Sequence, residues 1–230
     1  MNSCESAYSS VLKRIAEAST AAGQARPARL VAVGKTKPPE ALRALAALGQ
    51  TAFGENYIQE ARAKQAALAD LDLEWHAIGP LQSNKARDVA EHFDWLQTLD
   101  RLKLVDRLAR ARPVERSPLN VLIQVNIDDE TSKSGCAPRE IATLAAAIRQ
   151  QPTLCLRGLL AIPAPLPDLA RRRDAFARMR ELYEALASEH ADVDTLSMGM
   201  SDDFELAIAE GATMVRVGTA LFGARNRDAT

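Results

Sequence analysis

Lys35 is the first residue whose type and position could do chemistry. It follows Leu30-Val31-Ala32-Val33-Gly34, an apolar run that suits a strand buried on both faces of a parallel sheet. Pro38 and Pro39 cannot continue a ladder, so the strand must end near Lys35. A helical pattern follows in Ala41, Leu42, Leu45, Ala46 and Leu48, with Gly49 as its C-cap. Lys35 therefore stands at the carboxyl end of a strand that feeds a helix, where α/β folds build their sites. An amine held there in an apolar pocket loses its proton more easily, and a neutral amine can attack an aldehyde to give a Schiff base. A surface lysine in a βα loop is the alternative. Lys37 is a rival on the same strand face, although the prolines should pull it out of the ladder towards solvent.

The second stretch lies late in the chain, in Leu196-Ser197-Met198-Gly199-Met200-Ser201 and Val215-Arg216-Val217-Gly218-Thr219-Ala220. Both segments follow strand patterns and end in small, hydroxyl-bearing turns. Backbone N–H groups can crowd a phosphate where glycine leaves room, and a helix N-terminus adds a favourable dipole. Two ordinary βα turns would read the same way, with Ser201 capping a helix that starts at Asp202.

Other candidates stand alone. His76 ends a strand and could face a barrel mouth or serve as a hydrogen-bonded structural histidine; His92 and His190 read as helix-terminal surface residues. Asn56 follows the Gly54 turn as a possible side-chain donor, and Asp128-Asp129-Glu130 reads as a solvated acidic turn. The histidines and cysteines lack metal-ligand spacing, and there is no Gly-x-Ser-x-Gly elbow.

The elements that must position these residues alternate along the chain. An amphipathic helix is expected over residues 3–22. Strands are then expected at 30–33, 51–53, 73–79, 93–99, 119–126, 154–162, 193–198 and 212–217. Helices fall between them, with Ser83 as the N-cap of the one over 83–92. About eight βα units at this spacing predict a single-domain (β/α)8 TIM barrel with an extra N-terminal helix, the barrel running over about 29–224. A doubly wound open sheet is the runner-up, disfavoured because no Gly-x-Gly-x-x-Gly follows an early strand. The last strand ends shortly before Thr230, so only a short tail is expected after the barrel.

Composition excludes several function classes. With 29 Lys and Arg against 30 Asp and Glu, the net charge of -1 points to neither nucleic acid nor a membrane surface. Cys4, Cys136 and Cys155 are scattered, as reduced thiols are, and charged residues interrupt the N-terminal apolar pattern, so a cytoplasmic protein is expected.

Taken in order, six blocks resemble the pyridoxal phosphate homeostasis protein family, whose fold is like the barrel domain of alanine racemase. The first three are Val33-Gly34-Lys35-Thr36-Lys37, Phe53-Gly54-Glu55-Asn56-Tyr57 and the run from Trp75 through His76 to Lys85. The others are Gln124-Val125-Asn126 with Lys133-Ser134-Gly135, then 196–201, then 215–219. The resemblance implies pyridoxal 5'-phosphate as cofactor, with a Schiff base on Lys35. It also implies that the cofactor lies near Asn56 and His76, with Ser197, Met198, Ser201, Gly218 and Thr219 in the two late turns holding the phosphate. Arg216 would face the cofactor at the ring nitrogen or near the phosphate. Gly34 stands where the family usually has serine, and Ala77 where it usually has a bulky apolar residue, so bulk or a hydroxyl is missing beside the expected pocket.

The resemblance also implies a monomeric carrier or buffer rather than a turnover enzyme, with apo forms of cofactor-dependent enzymes as acceptors. Alanine racemase brings a second base, a tyrosine, from an added domain, and no such domain is expected here. Of Tyr8, Tyr57 and Tyr183, only Tyr57 lies next to a strand end. Lys133 and Arg87 are the cations considered for a substrate-carboxylate clamp. An amino-acid racemase is the enzymatic alternative, and an aldolase using Lys35 without cofactor is a third.

Overall fold

The computed structural model describes residues 3–128, 134–164 and 168–223. Among them, eight parallel strands close into a barrel in sequence order, the last pairing back to the first. They are β1 (Arg29–Val33), β2 (Ala52–Glu55), β3 (Glu74–Ala77), β4 (Trp95–Leu99), β5 (Leu119–Val125), β6 (Leu154–Ala161), β7 (Thr195–Ser197) and β8 (Met214–Val217). Closure rules out the doubly wound alternative. The helices are α1 (Ser3–Ala21), α2 (Pro39–Ala46), α3 (Ile58–Ala67), α4 (Ala86–His92), α5 (Leu102–Ala111), α6 (Ile141–Arg149), α7 (Leu169–Glu189), α8 (Phe204–Ala209) and α9 (Thr219–Phe222). None is long and apolar enough to cross a membrane.

Strand alternation divides the interior in two. Leu30, Ala32, Val121, Ile123, Val215 and Val217 point outward into the main core beneath the helices, while Val31, Leu122 and Met214 join Ala52, Trp95 and Leu160 inside the barrel. The inner column is not wholly apolar: His76, Gln97, Ser197, Gln124 and Arg216 are buried there too. In β6 the pairing with β5 shifts register between Val121 and Leu122. Gly158 makes this possible, because its φ is 144° and a Cβ there would lie 1.9 Å from the Thr195 carbonyl oxygen.

Three local expectations are corrected. Ser83 opens a 3-10 turn (Ser83–Lys85) instead of capping α4, and residues 138–140 form a similar turn before α6. Helix α8 starts at Phe204 with Asp203 in the capping position, so Ser201 is free for another use. Asp128 is not a solvated turn residue: its carboxylate accepts from the Ala164 N–H at 2.6 Å. Asp129, Glu130 and Lys133 lie outside the described residues, and Arg87 is a surface charge paired with Glu91.

Candidate functional site

A cavity of about 350 Å³ opens at the carboxyl ends of the strands. Its polar lining comes from Lys35 and Lys37 after β1, Asn56 after β2, Ser201 and Asp202 after β7, and Arg216, Gly218 and Thr219 from β8 and its turn. Val33, Ile78, Ile162 and Met200 supply apolar wall. Six of the nine expected site residues are therefore brought together at one mouth: Lys35, Asn56, Ser201, Arg216, Gly218 and Thr219.

The Lys35 loop is held from below. The Lys37 N–H donates to the Gly34 carbonyl at 2.9 Å, and Thr36 between them takes a φ of 63°, a left-handed conformation that a β-branched residue rarely adopts. Two contacts from α3 brace it. Lys64 Nζ donates to the Gly34 carbonyl at 2.8 Å, and the Thr36 N–H donates to Glu60 Oε2 at 3.2 Å. The same Lys64 amine lies 2.8 Å from Glu55 Oε1. Burial pushes the Glu55 carboxyl up to about 7, an effect that Lys64 only partly offsets. A Cβ at Gly34 would lie 2.5 Å from Glu55 Oε1, so Glu55 already fills the space where bulk was expected to be missing. Ala77 belongs to the outer core and does not line the mouth.

Lys37 does not go to solvent. Its Nζ donates to the Phe222 carbonyl at 3.0 Å, so α9 draws the amine back over the cavity. Two lysines thus share one mouth: Lys37 is engaged by a carbonyl, and Lys35 has no hydrogen-bond partner among the described residues.

The late turns are tied to each other. Ser201 Oγ accepts from the Gly218 and Ala220 N–H groups, each at 3.3 Å, so the expected cap residue serves α9 across the mouth and not its own helix. A Cβ at Gly218 would meet both the Cβ and the carbonyl oxygen of Val33 at 3.3 Å. Arg216 is 4% exposed, with Nη1 donating to Ser197 Oγ at 2.7 Å and Nη2 to the Ala161 carbonyl at 3.1 Å. Burial lowers its pKa to about 10, which leaves it a cation at neutral pH.

Three expected site residues are not at the mouth. Met198 is buried in the outer core. Ser197 and His76 lie inside the barrel, with His76 stacked on Trp95 at a centroid distance of 5.2 Å and bonded to Glu74 and Gln97. Sequence reasoning missed Glu55, Lys64 and Gln97. A signal existed for Gln97, a lone amide in the otherwise strand-like Trp95-Leu96-Gln97-Thr98-Leu99. Lys64 showed only an ordinary helix-surface spacing from Glu60.

Comparison with known proteins places this geometry among relatives. The chain matches the family described as alanine racemase, N-terminal domain, over residues 9–226. It is 57% identical over 218 residues to the pyridoxal phosphate homeostasis protein of Pseudomonas aeruginosa, covering 94% of this chain and 93% of the relative. It is 50% identical over 230 residues to the protein of that name in Escherichia coli K12, with 98% of each chain covered. Among solved structures it resembles PipY of Synechococcus elongatus PCC7942 with PLP bound. That match has a TM-score of 0.79 and 40% identity, covering 91% of this chain and all of that one.

Proposed function

The chain belongs to the alanine racemase N-terminal domain family and, within it, to the pyridoxal phosphate homeostasis proteins; from that premise we propose that its barrel mouth binds pyridoxal 5'-phosphate through a Schiff base on Lys35 and acts as a carrier and buffer of the cofactor. The observation that carries the reading is that Lys35 and a buried cation, Arg216, line the same cavity. Among the described residues, Arg216 hydrogen-bonds only neutral acceptors, and Asp203 acts on it by longer-range attraction without a direct ion pair. The guanidinium therefore keeps charge to offer an anion in the cavity it lines. A phosphorylated, ring-nitrogen-bearing aldehyde suits that pairing of amine and guanidinium. The cavity volume falls in the usual small-molecule range of roughly 300–1,000 Å³.

When bound, the cofactor supplies an electrophilic aldehyde and an electron-withdrawing ring. The chain's own residues do the rest. Lys35 offers the amine, and the α3 contacts to Gly34 and Thr36 hold its loop in place. Gly218 and Thr219 let backbone approach an anion, with Ser201 fixing the turn. Asn56 and Arg216 offer donors from the walls. Among the described residues, no tyrosine or histidine lines the cavity; its titratable side chains are Lys35, Lys37, Asp202 and Arg216. Racemisation needs acid–base groups on both ring faces, and the Lys37 amine is already engaged by the Phe222 carbonyl. Carriage with exchange to apo-enzymes is therefore favoured over amino-acid racemisation.

Two experiments test the reading. Borohydride reduction of cofactor-loaded protein and peptide mapping should place the adduct on Lys35, and Lys35→Ala should lose the visible absorbance; an adduct on Lys37 overturns the assignment. Loaded protein incubated with an apo-enzyme should activate it faster than the cofactor dissociates spontaneously. Multiple-turnover racemisation of L-alanine without such activation would make the protein a racemase.

A further inference from the structure

Arg216 stands at one end of a hydrogen-bond chain that runs down the inside of the barrel. Its Nη1 donates to Ser197 Oγ at 2.7 Å, and that hydroxyl donates to Gln97 Oε1 at 2.7 Å. Gln97 Nε2 lies 2.9 Å from His76 Nδ1, and His76 Nε2 lies 2.5 Å from Glu74 Oε1. Glu74 is paired with Arg29 at 2.7 Å. Arg29 and Glu74 are the first residues of β1 and β3, so the chain ends at the face opposite the mouth.

The two ends set the direction of every link. A guanidinium can only donate and a carboxylate can only accept. Ser197 therefore accepts from Arg216 and has one proton left, which it gives to the amide oxygen of Gln97. The amide nitrogen must then face His76, whose Nδ1 accepts and whose Nε2 carries the proton donated to Glu74. Burial disfavours the charged form of His76, in keeping with this neutral tautomer. Every dipole in the chain thus turns its negative end towards Arg216, in an interior where aligned hydrogen bonds reinforce one another.

We propose that Gln97 is a positioning residue for Arg216, the relay that anchors the guanidinium through Ser197 and secures that anchor to the Glu74–His76 pair. Arg216 gains neutral acceptors in place of a carboxylate, so it stays fixed without being neutralised, and its charge remains available at the mouth. This account gives Ser197 and His76 roles away from the ligand itself. It rests on the reading of Arg216 as a residue that faces pyridoxal phosphate.

The test begins on ligand-free protein. Nitrogen-15 NMR should show His76 as the neutral tautomer protonated at Nε2. The tautomer protonated at Nδ1 would overturn the proposal, because no relay from Ser197 could then run in this sense. Gln97→Leu cuts both links and should weaken pyridoxal phosphate binding about tenfold, the scale of one or two buried hydrogen bonds, and shift the pH profile of the loaded protein's absorbance. Gln97→Glu keeps an acceptor for Ser197 but loses the donor. His76 should then take up a second proton at neutral pH, while binding weakens less than threefold. Should Gln97→Leu fail to fold, Ser197→Ala, which removes only a hydroxyl, is expected to give the same loss of affinity. Unchanged affinity and pH profile in the folded variants would overturn the role. If the functional reading itself were wrong, the parent protein would bind no pyridoxal phosphate and give no borohydride-trapped adduct, while the His76 tautomer stayed as described.

Discussion

Lys64 Nζ lies 2.8 Å from the Glu55 carboxylate, and the two side chains are buried together beneath the loop that carries Lys35. Among the described residues Glu55 Oε2 has no hydrogen-bond partner, which is costly for a fully buried carboxylate and explains why burial outweighs the lysine's attraction. The folded carboxyl ionises near 7, against 4.5 for the ordinary group, so the folded state holds the proton more tightly than the unfolded one. Its contribution to stability is complete below about 4.5 and is lost as pH rises through about 7. Glu74 has the opposite sign. Burial alone would raise it, but His76 and Arg29 hold it at about 2, so its contribution is lost only in strong acid. Burial lowers the His76 pKa, so its contribution rises with pH over the same range and the test is a difference. Between pH 4.5 and 8, Glu55→Gln should gain thermal stability relative to the parent protein as pH rises; identical slopes in the two proteins would refute the coupling.

At Gly34, the missing side chain would point at the same carboxylate. Gly34→Ala puts a Cβ 2.5 Å from Glu55 Oε1 and about 3.1 Å from Leu42, and should cost roughly 1–3 kcal/mol through overpacking. Gly34→Ser meets the same contact but can donate its hydroxyl to Glu55, so it should cost less. Urea denaturation of both variants decides the order.

Gly218 tests the phosphate assignment. Gly218→Val crowds Val33 and the turn tied to Ser201, where backbone must approach the anion. It should weaken pyridoxal phosphate at least tenfold more than pyridoxal. Equal weakening of the two ligands by calorimetry would mean that the turn is structural only.

Arg112 predicts a stability effect away from the mouth. Its buried guanidinium donates to the carbonyls of Ala90, Phe93 and Ser117, closing the end of α5 onto the base of β4. Burial, with Arg116 nearby, lowers its pKa to about 10, so it remains charged at neutral pH. Arg112→Met keeps much of the volume and strands three acceptors, an expected loss of about 3 kcal/mol with cofactor binding unchanged.

What the chain's sequence determined by itself was local. Apolar strands bounded by Pro and Gly alternate with helical patterns, and from these follow the barrel and the strand ends at which Lys35, Asn56, Ser201 and Gly218 must stand. Pattern alone could not say how high inside the barrel an inward residue would sit, because that height depends on strand tilt and on the stagger imposed by closure. His76 and Arg216 both point inward, yet only Arg216 reaches the mouth, while His76 packs on Trp95 below it. Nor could sequence show that Lys37 would be turned back by the Phe222 carbonyl, or that Ser201 would hold the start of α9 and not its own helix. These contacts join residues that lie 17 to 185 positions apart, and only a closed barrel brings them within hydrogen-bond reach.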